Sequence, residues 1–478
     1  MKRFVEGEDR FQSTLFPEVL DDYIPEDNHV RVIEAFIEEL DLRGLGFAGV
    51  DPQATGRPAY HPSMLLKIYI YGYLNRIQSS RRLEKETQRN VELMWLVGRL
   101  SPDFKTIADF RKDNGSAIRA VCREFVLLCR KLNFFTDAMV AIDSSKFKAV
   151  NSRNRNFTRA KMKRRLQEIE KSLDRYFSQL DSLDRQETPV SEDKVMRIDD
   201  KIAALKKQMR QMKALEVQMN EAPDKQISLT DPDARAMATN ARSSGVVGYN
   251  VQTAVDTKHH LIVEHEVTNE GSDRSQLSNM STKTQSTMKT EELTVIADRG
   301  YFNGEEILAC HEAGIKTYVP KPQTSGAQAQ GRFGKRDFHY DPETDVYRCP
   351  AGERLVWRMT TQEKGQTLHR YWSSSCQHCH LKSQCTPAKE RRVTRWEHEA
   401  VLEAAQQRLD RDPDTMRLRK QTVEHPFGTI KSWMGATHFQ MKTLKHVSTE
   451  MSLHVLAYNL KRVMNIMGIK PLIQAIQA

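Results

Sequence analysis

The chain has 478 residues, with 73 basic against 63 acidic side chains and a formal net charge of +10. That balance favours a polyanionic partner and says nothing about fold. Seven cysteines, an odd number in so long a chain, argue against a disulfide framework and for a reducing, cytoplasmic setting. The sequence predicts neither a signal segment nor a membrane span, because Met1–Asp9 is charged and the apolar stretch Pro62–Leu74 is short and carries Lys67.

Residues 1–135 read as a helical domain. Asp27–Leu42 places Val30, Ile33, Phe36, Ile37 and Leu40 close to helical spacing, and a second helix runs through Met64, Leu65, Ile68, Tyr71 and Leu74 after the Arg57-Pro58 and His61-Pro62 breaks. Ser79-Ser80 caps a basic segment in which Arg81, Arg82, Lys85 and Arg89 form a candidate DNA-reading face of helix-turn-helix type. Ser101-Pro102-Asp103 turns the chain, and Thr106–Arg111 and Ala117–Leu132 complete the bundle. Met139–Ser145 then reads as a buried strand that ends in Asp143.

Residues 153–225 change character, with a basic start at Arg153–Arg165 and two charged stretches carrying sparse apolar stripes. Leu166, Ile169, Leu173, Leu180 and Leu183 in the first, and Ile198, Ile202, Leu205, Met209 and Met212 in the second, have the spacing of a coiled-coil seam. Thr188-Pro189 between them predicts an antiparallel coiled-coil hairpin. Gly248–Val255 and Leu261–Val267 then predict a β-hairpin, and Ser275–Met288 a helix. Leu293–Phe302 repeats the earlier design: a short apolar strand ends in Asp298, Arg299-Gly300 turn the chain, and Asn303 caps a helix over Gly304–His311. Two buried strands that each end in Asp suggest a shared divalent metal, since close carboxylates repel unless a cation or proton lies between them. Asp231, Asp233 and Asp256 are further acids, read as turn and cap residues.

Residues 325–395 carry Cys349, Cys376, Cys379 and Cys385 in a region poor in apolar residues, where a structural Zn²⁺ would substitute for a core; His378 and His380 offer competing ligands. Cys122, Cys129 and Cys310 sit in apolar helical stretches and read as core. Glu397–Ile430 leans to helix, and residues 441–478 to a terminal amphipathic helix. Within RKQTVEHPFGTIK, Glu424 follows Lys420 by four residues and precedes Lys431 by seven, so on one helix all three lie near one face. Pro426 predicts a kink or restart there.

The stretches AIDSSKFKA, GYNVQTAVD, VIADRGYFNGEEI and TVEHPFGTIK, in that order across most of residues 137–431, resemble the DDE transposases of bacterial insertion sequences. RPAYHPSMLLKIYIYGYL and FRKDN are similar to the helical domain that precedes such cores. The resemblance implies an α/β fold: a ribonuclease H-like mixed-sheet catalytic core (136–324 and 396–440) interrupted by the coiled-coil hairpin and the cysteine-rich insertion. It implies Asp143, Asp298 and Glu424 as a triad for two Mg²⁺ (or Mn²⁺), with cleavage at element ends followed by strand transfer. It also implies double-stranded DNA as partner (terminal repeats and target), a homodimer on DNA and a nucleoid-associated place in the bacterial cytoplasm. Lys431 would hold a phosphate, Lys420 is a second cation suited to phosphate, and Arg299 and Tyr301 would contact flanking DNA. One branch of the family carries Tyr-x2-Arg-x3-Glu-x6-Lys; here Lys420 stands for the Arg and Arg417 for the Tyr. The rival readings are a metal-dependent nuclease without strand transfer and a non-catalytic DNA-binding regulatory protein.

Overall fold

The computed structural model describes residues 19–52, 58–135, 138–152, 155–184, 192–222, 224–238, 245–322, 326 and 330–478. Arg57, Arg153 and the Thr188-Pro189 break lie outside the described residues.

Six helices come first: α1 (His29–Glu38), α2 (Pro62–Leu74), α3 (Ser80–Arg89), α4 (Val91–Leu96), α5 (Phe104–Asp113) and α6 (Gly115–Lys131). Side chains close their first turns, with Asn28 accepting from the Val30 N–H, Asn90 from Leu93, and Asp103 from Lys105 and Thr106. Strand β1 (Met139–Lys148) follows, then β2 (Asn156–Thr158), the long helices α7 (Arg159–Asp184) and α8 (Glu192–Glu221), and β3 (Gln226–Ser228). β2 and β3 pair antiparallel at the base of the two helices, whose stripes meet through Ile169, Leu173, Leu183, Ile198 and Ile202.

The main sheet adds β4 (Arg235–Met237), β5 (Val246–Asp256) and β6 (Ile262–Thr268), then α9 (Leu277–Met288), β7 (Thr294–Ala297), α10 (Gly304–Glu312) and β8 (Lys316–Tyr318). β5 runs antiparallel to β1 and to β6, whereas β7 lies parallel to β1 and β8 parallel to β7, which makes the sheet mixed. The β5–β1 contact is close: a Cβ on Gly248 would stand 1.9 Å from the Phe147 carbonyl oxygen.

Residues 338–396 depart from expectation. They form a second, five-stranded antiparallel sheet of β9 (His339–Asp341), β10 (Val346–Arg348), β11 (Arg354–Glu363), β12 (Gln366–Trp372) and, after the short α11 (Lys382–Cys385), β13 (Val393–Trp396). Phe338, Tyr347, Leu355, Tyr371 and Val393 give this region an apolar core of its own, so a metal there would not stand in for one.

Helices α12 (Glu399–Arg411) and α13 (Thr415–Gly428) lead through a π-helical turn at Thr429–Trp433 to α14 (Leu444–Met467) and α15 (Ile469–Gln477). α13 continues through Pro426, and the irregularity falls instead in the turn after it. α14 is buried on all sides over Thr449–Leu460, whereas Lys445, Lys461 and Ile466 near its ends are exposed. Its Val447, Met451, Val455 and Leu460 share one core with the N-terminal helices and with Tyr249, Val251 and Ile262 of the sheet. The opposite face of the sheet is covered by α9, α10 and α12 through Val140, Ile142, Val295, Met280, Ile307 and Leu402.

Candidate active site

The site begins with two adjacent strands. β1 and β7 pair in parallel up to Ile142 opposite Ala297, so Asp143 and Asp298 are the next residues on neighbouring strands. Val140 and Ile142, like Val295 and Ala297, enter the core under α9 and α10. Alternation therefore turns Ala141, Asp143, Ser145 and Asp298 to the other face, towards α13. β1 does not end at Asp143. It runs on to Lys148 against β5, while β7 stops at Ala297, and this leaves the flank of Asp143 without a neighbouring strand. Asp298 ends its strand and also caps the following turn, accepting the Gly300 N–H at 2.7 Å.

Between the two carboxylates lies a residue that sequence reasoning missed. An Arg419 amino nitrogen stands 2.7 Å from Asp143 Oδ1 and 3.9 Å from Asp298 Oδ2, and the Arg419 side chain is only 13% exposed. Its buried Nε has no hydrogen-bond partner. Burial pushes the Asp143 carboxyl up to about 6; Arg419 pulls it down, and the charges of Asp298 and Asp273 push it up further. On the other face of β1, Lys146 reaches Asp273 Oδ1 at 3.6 Å, and Asn250 and Gln252 donate to the same oxygen at 2.7 and 2.8 Å. Burial lowers the Lys146 ammonium, and the negative charges of Asp273, Asp143 and Asp298 oppose that shift. Nothing in RLRK distinguishes Arg419 from Arg417 or Lys420 by spacing alone.

The other sequence-derived site residues divide. Lys431, folded back by the π-helical turn, donates to Ser145 Oγ at 2.5 Å and to the Lys146 carbonyl at 3.0 Å, on the same strand as Asp143. Its ammonium is lowered by burial and by Lys146. Glu424 is not brought to the aspartates. Its side chain is 66% exposed and pairs with Lys420 at 3.8 Å. It follows Arg419 by five residues, so the two point about 140° apart around the helix. Glu424 and Lys420 share a face, but Lys431 does not join them. Tyr301 corrects a second expectation: it is fully buried and donates to Gln252 Oε1, so it is not available to DNA. Arg299 is exposed beside Asp298. Arg81, Arg82, Lys85 and Arg89 are all exposed along α3, with Arg81 over the Phe104 ring and Arg89 paired with Glu86. Asp231 and Asp233 accept from the Thr443 and Leu444 N–H groups at the start of α14, and Asp256 accepts from Lys258 and His259 in the hairpin turn.

Cys349, Cys376, Cys379 and Cys385 line one small cavity of about 30 Å³, and neither His378 nor His380 lines it. Burial raises the Cys385 thiol, and the other three cysteines add to that rise. Cys122, Cys129 and Cys310 are buried in apolar surroundings. Among the described residues, no three His, Cys, Asp or Glu side chains are gathered closely enough to hold an ion as they stand. No helix among them is long and apolar enough to cross a membrane.

Two family models match the chain. Residues 18–113 match a transposase domain (DUF772), and residues 348–464 match a transposase DDE domain, a span that holds Glu424 and Lys431 but neither aspartate. No curated protein matches the sequence. Among solved structures, the chain is similar to a cryo-EM structure of the piggyBac transposase synaptic complex with hairpin DNA, at 8% identity and a TM-score of 0.32, over 94% of this chain and 79% of that one.

Proposed function

The chain belongs to the DDE transposases, polynucleotidyl transferases that cut DNA and transfer strands, and on that premise we propose that Asp143 and Asp298 hold its divalent metal. The observation that carries the assignment is the Arg419 guanidinium between two carboxylates on neighbouring strands, one of them half-buried. Such a pair demands a cation, and in this chain the cation is a side chain. Hard carboxylate oxygens suit Mg²⁺ or Mn²⁺. When bound, two such ions would activate water or a DNA 3′-hydroxyl and stabilise the leaving oxygen.

The chain's own residues do the rest. Asp143 and Asp298 hold and orient; neither needs to act as a general base. Arg419 would have to leave its place between Asp143 and Asp298 for them to hold a metal, and from α13 its guanidinium would suit a DNA phosphate. Lys431, fixed on β1 two residues beyond Asp143, holds the phosphate flanking the cleaved bond, and Arg299 meets DNA beside Asp298. Glu424 is the third acid of this reading and joins the aspartates only if α13 turns or shifts, so DNA binding is the step that completes the centre. The mixed sheet, with β7 parallel and β5 antiparallel to β1, supports a ribonuclease H-like core. The exposed basic face of α3 supports DNA binding by the N-terminal helices. The four cysteines Cys349, Cys376, Cys379 and Cys385 line one cavity without yet being close enough to share an ion, which supports a structural Zn²⁺ that they would have to close around.

Asp143→Asn, Asp298→Asn and Glu424→Gln test this directly. Each keeps side-chain size and removes the charge that holds metal, so cleavage in Mg²⁺ is lost while DNA binding persists. Near-normal cleavage by all three variants would overturn the assignment.

A further inference from the structure

A cavity of about 880 Å³ runs along the outer edge of β6, and β5 separates it from β1 and Asp143. Its floor is the strand itself over Val263–Val267, with α6 and α14 on one side and α9 on the other. Among the described residues, no strand pairs with this edge. Arg130 donates to the Thr287 carbonyl at 2.9 Å and so joins α6 to α9, while the Thr287 hydroxyl reaches Glu264 at 3.2 Å, which closes the groove at the Glu264 end.

The register of β6 fixes which backbone groups face the groove. The His265 N–H bonds the Glu264 carboxylate at 3.0 Å and so points away from β5. Paired residues alternate between bonded and unbonded, so Val267, two places on, also turns its N–H and C=O outward. Val267 is only 6% exposed, and no side chain among the described residues covers those groups, an arrangement that costs the fold unless something pairs with them. At the other end of the strand the same need is met from within: the Asn459 side chain bonds both the N–H and the C=O of Ile262, at 3.0 and 2.8 Å, as a neighbouring strand would. The two walls differ in charge. Glu264 and Glu266 face α9, where Lys283 pairs with Glu266 at 2.7 Å. His265 faces α14 and meets Ser452 Oγ at 2.8 Å. On that side stand Arg119, Arg123 and Lys445, and none of the three has an ion-pair partner among the described residues.

We propose that this groove binds an extended peptide of a partner protein, added as a strand to β6 and carrying carboxylates at every second residue. The peptide backbone pairs with Val267 and with His265, whose N–H is freed when the Glu264 side chain swings aside. Successive side chains of a strand point to opposite faces, so alternate carboxylates meet Arg119, Arg123 and Lys445 while the residues between them lie against α9. Nucleic acid or a free anion would answer the cations but leave the strand edge unpaired. The β6 of a second copy is walled in by the same helices and cannot reach this one. The inference stands apart from the transposase reading, because the groove shares no residue with the aspartates or with α13.

The test uses the full chain and a short fluorescent peptide of alternating Glu and Val, with anisotropy as the readout. Wild type binds it saturably, and Arg123→Glu/Lys445→Glu binds at least about tenfold more weakly. Both side chains are exposed, so the melting temperature of that variant stays close to wild type. A second measurement needs no variant of the protein. A strand bonds its neighbour through every second residue, so methylating one peptide nitrogen at a time weakens binding by about five- to tenfold at alternate positions and by less than about twofold between them. No saturable binding up to about millimolar peptide overturns the proposal, as does a methylation scan without the two-residue period. Oligothymidylate of equal charge that displaces the peptide at equal concentration would make the groove a general polyanion surface and overturn it too. Peptide binding that splits a dimer in sedimentation would give the groove to a second copy of the chain and so overturn the separate partner.

Discussion

Arg419→Met, studied without metal, isolates the ion pair at the centre of the site. In the folded chain Asp143 is raised to about 6, above its unfolded value of about 3.9, so ionising it costs the fold. The associated stability is full below the unfolded value and declines as pH rises to about 6. Methionine keeps the apolar stem of the arginine but removes the guanidinium and its charge 2.7 Å from Asp143. Breaking a buried pair costs about 3 kcal/mol, which would raise Asp143 by about two further units. The decline then continues to about pH 8. The variant's deficit against wild type is about 0.2 kcal/mol at pH 5.5, about 1.4 at pH 7 and about 2.3 at pH 8. The cost at pH 7 is smaller than that of the broken pair because Asp143 protonates instead of remaining charged. Urea unfolding in a chelator at the three pH values measures it. A deficit constant across that range would mean that Arg419 contributes packing and not charge.

Replacing Arg81, Arg82, Lys85 and Arg89 with Ala weakens DNA binding and flattens its dependence on salt, because each phosphate contact releases counterion; an unchanged slope would make that face of α3 merely solvated. Protein purified without chelator carries roughly one Zn²⁺ per chain, lost in Cys376→Ser/Cys379→Ser; reduced wild-type protein with none would rule the module out. Gly248→Ala destabilises by about 3 kcal/mol or more, since its Cβ would meet the Phe147 carbonyl at 1.9 Å and both atoms belong to paired strands; a melting temperature within a degree or so of wild type would contradict that packing.

Asp143 and Asp298 were legible in the sequence because an apolar run that ends in Asp is a local pattern, and the partnership of their strands followed from the repeat of that pattern. The β5–β6 hairpin was legible for a similar reason, its alternation being interrupted by Asp256–His260. The second sheet was not legible. β9 and β10 are three residues each, too short to show a period, and the sheet's core includes the tyrosines Tyr347 and Tyr371, which read as polar-tolerant. α14 misled because its polar residues suggested a wet face. Glu450 instead accepts from the Gln440 and Met441 N–H groups, and Asn459 pairs with both backbone groups of Ile262, so these side chains are satisfied inside the core. Glu424 and Lys431 were expected near one helix face, with a kink or restart between them at Pro426. The π-helical turn that separates them is a tertiary choice: it brings Lys431 back to Ser145.

The central claim is that this chain cuts DNA ends and joins them, and labelled DNA from the flanks of its own gene tests it most directly. Incubated with wild-type protein and Mg²⁺, that DNA should be cut at the element's 3′ ends and the ends joined to target DNA, with both products lost in Asp143→Asn. Cleavage without joined products, or cleavage that Asp143→Asn leaves intact, would contradict the account.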